Sequence, residues 1–283
     1  MTQLAEHHAE ARSVPLPAGP VAVLDASPTT VVRGTALLVP GFTGSKEDFA
    51  PILDPLREAG YRTVAMDLPG QHESPGPDVR SAYTVEWLGT VVGQLADTLT
   101  DEPVHLLGHS FGGLVARVAV LASADRYKSL VLLASGPAGL DRGRRAMQAR
   151  LERHMSGGMA AVYEALEVIN PDEVPRPPEV TAFLRKRFLA SSLAGYFGMG
   201  DAIGTEPDRV DALRETGVPA LVCFGEQDTA WLPPQQREMA ARLGAQLTVI
   251  AEAGHSPAVD RPAQTAAALT AFWATHTNGA APD

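Results

Sequence analysis

Residues 104–121 read VHLLGHSFGGLVARVAVL. An apolar run enters a cluster of three glycines, Gly108, Gly112 and Gly113, and a second apolar run leaves it, with Ser110 between them in the spacing G-x-S-x-G. Glycine loses more backbone freedom on folding than any other residue, so three around one hydroxyl mark a place where the chain must adopt a shape other residues resist. The flanks read as a buried strand over 104–108 and a helix over 112–123. A serine on so tight a strand-to-helix turn, with small residues two before and two after, is lifted above the edge of a sheet. The helix that follows aims free N–H groups and the positive end of its dipole at any anion formed there.

Outward from this turn, strand-like and helix-like segments alternate. TALLVP (35–40), YRTVAMD (61–67), SLVLLAS (129–135), ALVCFG (220–225) and QLTVI (246–250) read as strands. Residues 45–60, 84–99, 233–244 and 263–276 read as helices. The strands are continuously apolar rather than alternating, which predicts a mostly parallel central β-sheet flanked by helices on both faces, an α/β fold. Residues 137–212 contain no strand signal and read as helices at 141–155, 159–169, 178–190 and 207–214, joined by NPDEVPRPP (170–178) and the glycine-rich GYFGMGDAIG (195–204). The block is expected to be a helical cap inserted into a core formed by 14–136 and 213–278, its glycines allowing movement over a site. Residues 1–13 and THTNGAAPD (275–283) read as frayed ends.

A serine hydroxyl is a weak nucleophile until a base takes its proton, and the base needs an acid to orient it. ALVCFGEQD ends a strand and offers Asp228, with Glu226 and Asp260 as rivals. QLTVIAEAGHSP ends the next strand and offers His255. No acid directly follows SLVLLAS, the other position open to it, which favours Asp228. All three candidates fall in loops at the carboxyl edge of the sheet, where such folds bind ligands. His105 lies inside a strand and reads as core, His72 as a loop residue, and Cys223 as core without chemistry. Arg142, Arg144, Arg145, Arg150 and Arg153 read as a solvated helix face.

Taken together, PGFTGS (40–45), DLPGQHES (67–74), GHSFGG (108–113), GEQD (225–228) and AGHSP (253–257) make the chain resemble the α/β-hydrolase family over residues 20–276. The resemblance implies Ser110 as nucleophile, Asp228 as acid, His255 as base, and the backbone N–H groups of Phe42 and Phe111 as the oxyanion hole. Phe42, His109 and Trp231 are the candidates for contact with substrate. Two motifs depart from the family pattern. Pro40 stands where a histidine is usual, and Gln71-His72 stand where a second glycine is common, so that loop is expected to bend differently. The implied activity is hydrolysis of a small-to-medium ester through an acyl-enzyme. Carbon–carbon bond cleavage, a biosynthetic thioesterase or cyclase, cofactor-free perhydrolysis, and a slow-turnover ligand receptor are the alternatives. A serine in the nucleophile position disfavours epoxide and halide chemistry.

Composition narrows the partners. At 283 residues, 45% hydrophobic and 20% charged, the chain is long enough for a large core. A net charge of −10 disfavours nucleic acid and anionic membranes. No apolar run approaches the ~18 residues of a membrane span, and the N-terminal residues have no apolar signal segment. One cysteine excludes an internal disulfide. Neither metal-site spacing nor a nucleotide-binding glycine loop is present, so no cofactor is expected. The expectation is a cytoplasmic monomer or homodimer acting on a small acyl substrate.

Overall fold

The computed structural model describes residues 2–140, 143–169 and 176–276. Its strands are β1 (Glu10–Val14), β2 (Val21–Ala26), β3 (Gly34–Val39), β4 (Tyr61–Met66), β5 (Val104–His109), β6 (Tyr127–Leu133), β7 (Ala220–Gly225) and β8 (Gln246–Ile250). They form one sheet in the order β1-β2-β4-β3-β5-β6-β7-β8. From β4 onward along the sheet every pairing is parallel, whereas β1 and β2 join the edge antiparallel.

Three helices alternate with the early strands: α1 (Ala50–Glu58), α2 (Val85–Leu99) and α3 (Phe111–Ala122). Between β6 and β7 the described residues form α4 (Arg144–Glu152), α5 (Gly158–Ile169), α6 (Pro178–Ala190), α7 (Leu193–Thr205) and α8 (Val210–Glu215). The chain ends with α9 (Pro233–Leu243), α10 (Pro257–Asp260) and α11 (Pro262–Ala274). Leu37 of β3 packs with residues of α2, α3 and α9 on one face, while its neighbour Leu38 packs with residues of α1 and α11 on the other. Burial on both faces explains why the central strands carry no polar alternation.

Two sequence expectations change here. Residues 1–13 are not all frayed. β1 pairs residue by residue with β2, from Glu10↔Asp25 to Val14↔Val21, and Arg12 reaches Asp25 at 2.7 Å. The backbone N–H and Nδ1 of His8 both meet the Asp54 carboxylate, at 3.0 and 2.8 Å. An edge strand held by backbone pairing with exposed side chains leaves little apolar signal to read. The second change is at 195–204, which is helix α7 rather than a connection. Glycine costs a helix about 1 kcal/mol per position, and here close packing offsets it. A Cβ at Gly198 would stand 2.3 Å from the Arg80 carbonyl oxygen, and one at Gly200 would stand 2.2 Å from Gln148 Oε1. The connection at 170–175, the tail from 277, Arg142 and the Arg144 side chain lie outside the described residues. Arg145, Arg150 and Arg153 are exposed.

The helical block is rooted at two adjacent points. Gly139 N–H donates to Glu206 O at 2.9 Å and Leu140 N–H to Ile203 O at 3.0 Å. Arg117 of α3, fully buried, donates to the Pro137 carbonyl on the way in, and to the Glu206 carboxylate (3.1 Å) and Pro207 carbonyl (3.3 Å) on the way out. Within the block Leu151, Val162, Phe188, Tyr196 and Phe197 form a small core of their own.

Candidate active site

Register brings the key turns to one edge. Val39 pairs with Gly108 and Gly225 with Ile250, so the loops after β3, β5, β7 and β8 leave the sheet on the same side. Ser110 follows β5 with φ 55° and ψ −120°, a conformation costly for any side-chain-bearing residue. The turn holds because its neighbours lack Cβ atoms. A Cβ at Gly108 would lie 2.2 Å from Gly112 O, and one at Gly112 would lie 2.4 Å from Val39 O. Ser110 N–H is anchored on Leu133 O of β6 at 2.9 Å.

His255 Nε2 lies 2.9 Å from Ser110 Oγ, and its Nδ1 lies 2.9 Å from Asp228 Oδ1. Asp228 is buried, and its second oxygen accepts from Gln236 Nε2 at 2.9 Å, while Oδ1 also accepts from Ala230 N–H at 2.9 Å. These bonds keep the carboxylate facing Nδ1, so Nδ1 carries the imidazole proton and Nε2 is left to accept from the serine. Gln236 had no signal in the sequence. It sits in PPQQREM on α9, where a surface helix is the ordinary reading, and it also donates to Trp231 O at 2.7 Å. The rivals Glu226 and Asp260 are turned elsewhere: Asp260 accepts from Gly254 N–H at 2.9 Å and Glu226 from Glu252 N–H at 3.4 Å.

Phe111 opens α3, where an N–H has no carbonyl behind it within the helix. The β3 loop lies directly against the serine, since a Cβ at Gly41 would stand 3.1 Å from Ser110 Cβ. Phe42 follows, stacking on Tyr196 of α7 with centroids 5.1 Å apart and so touching both the sheet core and the helical block. An anion beside Ser110 would meet a helix start on one side and this loop on the other.

The remaining sequence candidates have structural partners. His109 Nε2 donates to the His255 carbonyl at 2.8 Å, and burial, then the adjacent His255, holds its pKa down at about 4. Trp231 is buried, its ring 6.2 Å from that of His255 and its Nε1 donating to Ala138 O at 3.0 Å. His109 thus braces the base loop, while Trp231 lies beside it and is tied to Ala138. His105 is core, stacked on Trp273 and pushed by burial to about 3. Burial raises the Cys223 thiol to about 12. His72 has φ 44°, the left-handed backbone that glycine favours.

Among the described residues, Glu47, His72 and Glu73 bring possible metal-binding atoms within 4.8 Å of one another. A cation already occupies this position, as the Lys46 ammonium lies 2.9 Å from Glu47 and 2.8 Å from Glu73. Burial opposes the Lys46 charge, but Asp67 and the two glutamates outweigh it and raise its pKa.

Surface clefts of ≈310 to ≈470 Å³ lie away from the triad. Beside Phe42 the site is nearly closed, with a cavity of ≈10 Å³ between the β3 loop, Gln71 and helices α6 and α7. No described helix is long and apolar enough to cross a membrane.

Residues 36–268 match the alpha/beta hydrolase family. The chain is 39% identical over 100 residues to the 2-hydroxy-6-oxononadienedioate/2-hydroxy-6-oxononatrienedioate hydrolase of Cupriavidus pinatubonensis, covering 35% of this chain and 34% of that one. It is 27% identical over 237 residues to the dihydrolipoyllysine-residue acetyltransferase component of the acetoin cleaving system of Cupriavidus necator, covering 80% of this chain and 60% of that one. Its matches thus span about a third and three-fifths of these two relatives. The enol-lactonase of Burkholderia xenovorans superposes with a TM-score of 0.78 at 24% identity, over 93% of this chain and 100% of that one, a likeness of fold.

Proposed function

The chain belongs to the alpha/beta hydrolase family, and from that premise we propose that it is a serine hydrolase acting on a small-to-medium ester through an acyl-enzyme. One observation carries the reading: an unbroken hydrogen-bonded line from Asp228 through His255 to Ser110, with 2.9 Å at each step, ending on a strained, glycine-flanked serine.

The proposed steps use this arrangement. Ser110 Oγ attacks the substrate carbonyl as its proton passes to His255 Nε2. The carbonyl oxygen takes the negative charge between the N–H groups of Phe42 and Phe111, each worth a few kcal/mol in the transition state. His255 then hands its proton to the leaving alcohol, and the acyl group remains on Ser110. A water enters, gives its proton to His255 and attacks the acyl carbon, and the acid leaves with Ser110 restored. Asp228 keeps Nδ1 protonated and stabilises the imidazolium at both stages. His109, being neutral, adds no opposing charge when His255 becomes cationic.

Residues 137–212, with helices α4–α7, are proposed as a cap. The cavity of ≈10 Å³ beside Phe42 is too small for an ester, which supports a shift of these helices on substrate entry. Carbon–carbon bond hydrolysis is the second reading, supported by the 39% identity shared over 100 residues with the C. pinatubonensis hydrolase.

The test is labelling by a fluorophosphonate together with turnover of 4-nitrophenyl acetate and butanoate. Wild type labels and turns over, and Ser110→Ala does neither, with a rate loss of about 10⁴-fold or more. Labelling with no ester turnover would favour carbon–carbon cleavage, and absence of both would reject the hydrolase reading.

A further inference from the structure

Gln71 is buried, 2% exposed, beside the loop that carries Phe42. Its amide is oriented by chemistry. The Gly41 carbonyl, 2.9 Å away, can only accept, so Nε2 faces it and Oε1 faces away. Oε1 is buried and has no hydrogen-bond partner. The neighbouring hydroxyls of Thr43 and Ser191 are turned to other acceptors, Phe42 O at 2.6 Å and Arg187 O at 3.1 Å. A buried amide oxygen left unpaired is costly, and the cost is recovered when a ligand brings a donor. Gln71 lines the cavity next to Phe42, whose other walls include Phe188, Tyr196 and Met199. The cavity is therefore apolar apart from a few polar groups, one of which is an acceptor without a donor.

We propose that Gln71 Oε1 recognises a hydrogen-bond donor, a hydroxyl or amide N–H, on the acyl part of the substrate close to its reacting carbonyl. The inference rests on the hydrolase reading of Ser110. The acyl half is specified by position. The leaving group has to reach His255 Nε2, yet no residue of the base loop, 253–257, lines this cavity. Gly41 lies against both the Gln71 amide and Ser110, so the side chain that carries the acceptor is linked to the nucleophile through this one residue. A hydroxyl on the first or second carbon beyond the carbonyl is the chemistry that fits.

The experiment compares 4-nitrophenyl butanoate with its 2-hydroxy and 3-hydroxy analogues, which share one leaving group. Wild type favours one hydroxy ester in kcat/KM by roughly tenfold. In Gln71→Met the ratio falls to about one, and because both substrates feel any loosening of the Gly41 contact, a purely structural role leaves the ratio unmoved. Gln71→Glu, neutral when buried and still offering a carbonyl oxygen, keeps the preference. If Gln71→Met does not fold, the wild-type and Gln71→Glu ratios decide. A wild-type ratio at or below one with Ser110 still labelled by fluorophosphonate overturns this inference alone, as does a preference that survives Gln71→Met. Loss of both labelling and turnover in wild type removes the hydrolase reading and this inference with it.

Discussion

The carboxyl edge of the sheet and the helical block above it are packed by different means. At the edge, backbone lies on backbone: a Cβ at Gly108 would meet Gly112 O at 2.2 Å, and one at Gly225 would meet Gly254 O at 2.1 Å. The block meets the core through side chains, with Phe42 on Tyr196, Arg187 on Asp48 at 2.7 Å and Arg80 on Asp201 at 2.5 Å. Among the described residues it meets the core through backbone only along α7, where Gly198 lies against the Arg80 carbonyl and Ser192 N–H donates to Gly70 O at 2.8 Å. Its outer helices carry exposed arginines and little core. Backbone contacts cannot re-pack without moving a strand, whereas side chains change rotamer. The edge thus holds three groups within hydrogen-bond distance by backbone packing, whereas much of the block's contact with it is made by side chains.

The contrast can be broken at three points. The largest effect is expected for Gly108→Ala, whose new methyl has only backbone to displace. It should cost at least about 3 kcal/mol in urea unfolding and abolish activity. A mild loss would mean that the edge yields as the block does. Next is acid sensitivity, which the core is expected to dominate. Folded His105 takes a proton only near pH 3, while an unfolded histidine takes one near 6.5, so stability is full above about 6.5 and declines as pH falls toward 3. Between pH 7 and 5, wild type should lose about 2 kcal/mol more than His105→Gln, as read from denaturation midpoints at each pH. Equal slopes would shift acid sensitivity away from this core histidine. The smallest effect is expected for Gly204→Ala on α7, where a Cβ would meet only Arg145 side-chain atoms at 3.8 Å and beyond. It should leave activity intact and raise stability by about 0.5–1 kcal/mol in thermal unfolding. A loss there would show the block to be as tightly fitted as the edge.

The same contrast governs what was legible in the sequence. Ser110, Asp228 and His255 announce themselves because each lies in the turn after a strand, and a parallel sheet brings such turns together wherever they fall in the chain. Gln236 and Gln71 do not, because their contacts with Asp228 and Gly41 are ones that no local pattern links to them. β1 escaped because an exposed edge strand has no apolar period, and α7 because its glycines read as flexibility while serving contact with Arg80 and Gln148. His72 is hard to read in the opposite sense, a bulky residue in a left-handed backbone that glycine favours.

The buried Arg117 that grips both roots of the helical block has a consequence for how such a chain diversifies. Because entry and exit lie within reach of one guanidinium, the crossover from β6 to β7 is closed before the excursion begins, whatever its length. Lengthening it adds only a slowly growing, logarithmic entropy term. The block is in effect a cassette on a fixed socket, open to exchange or elaboration while the socket keeps the sheet in register.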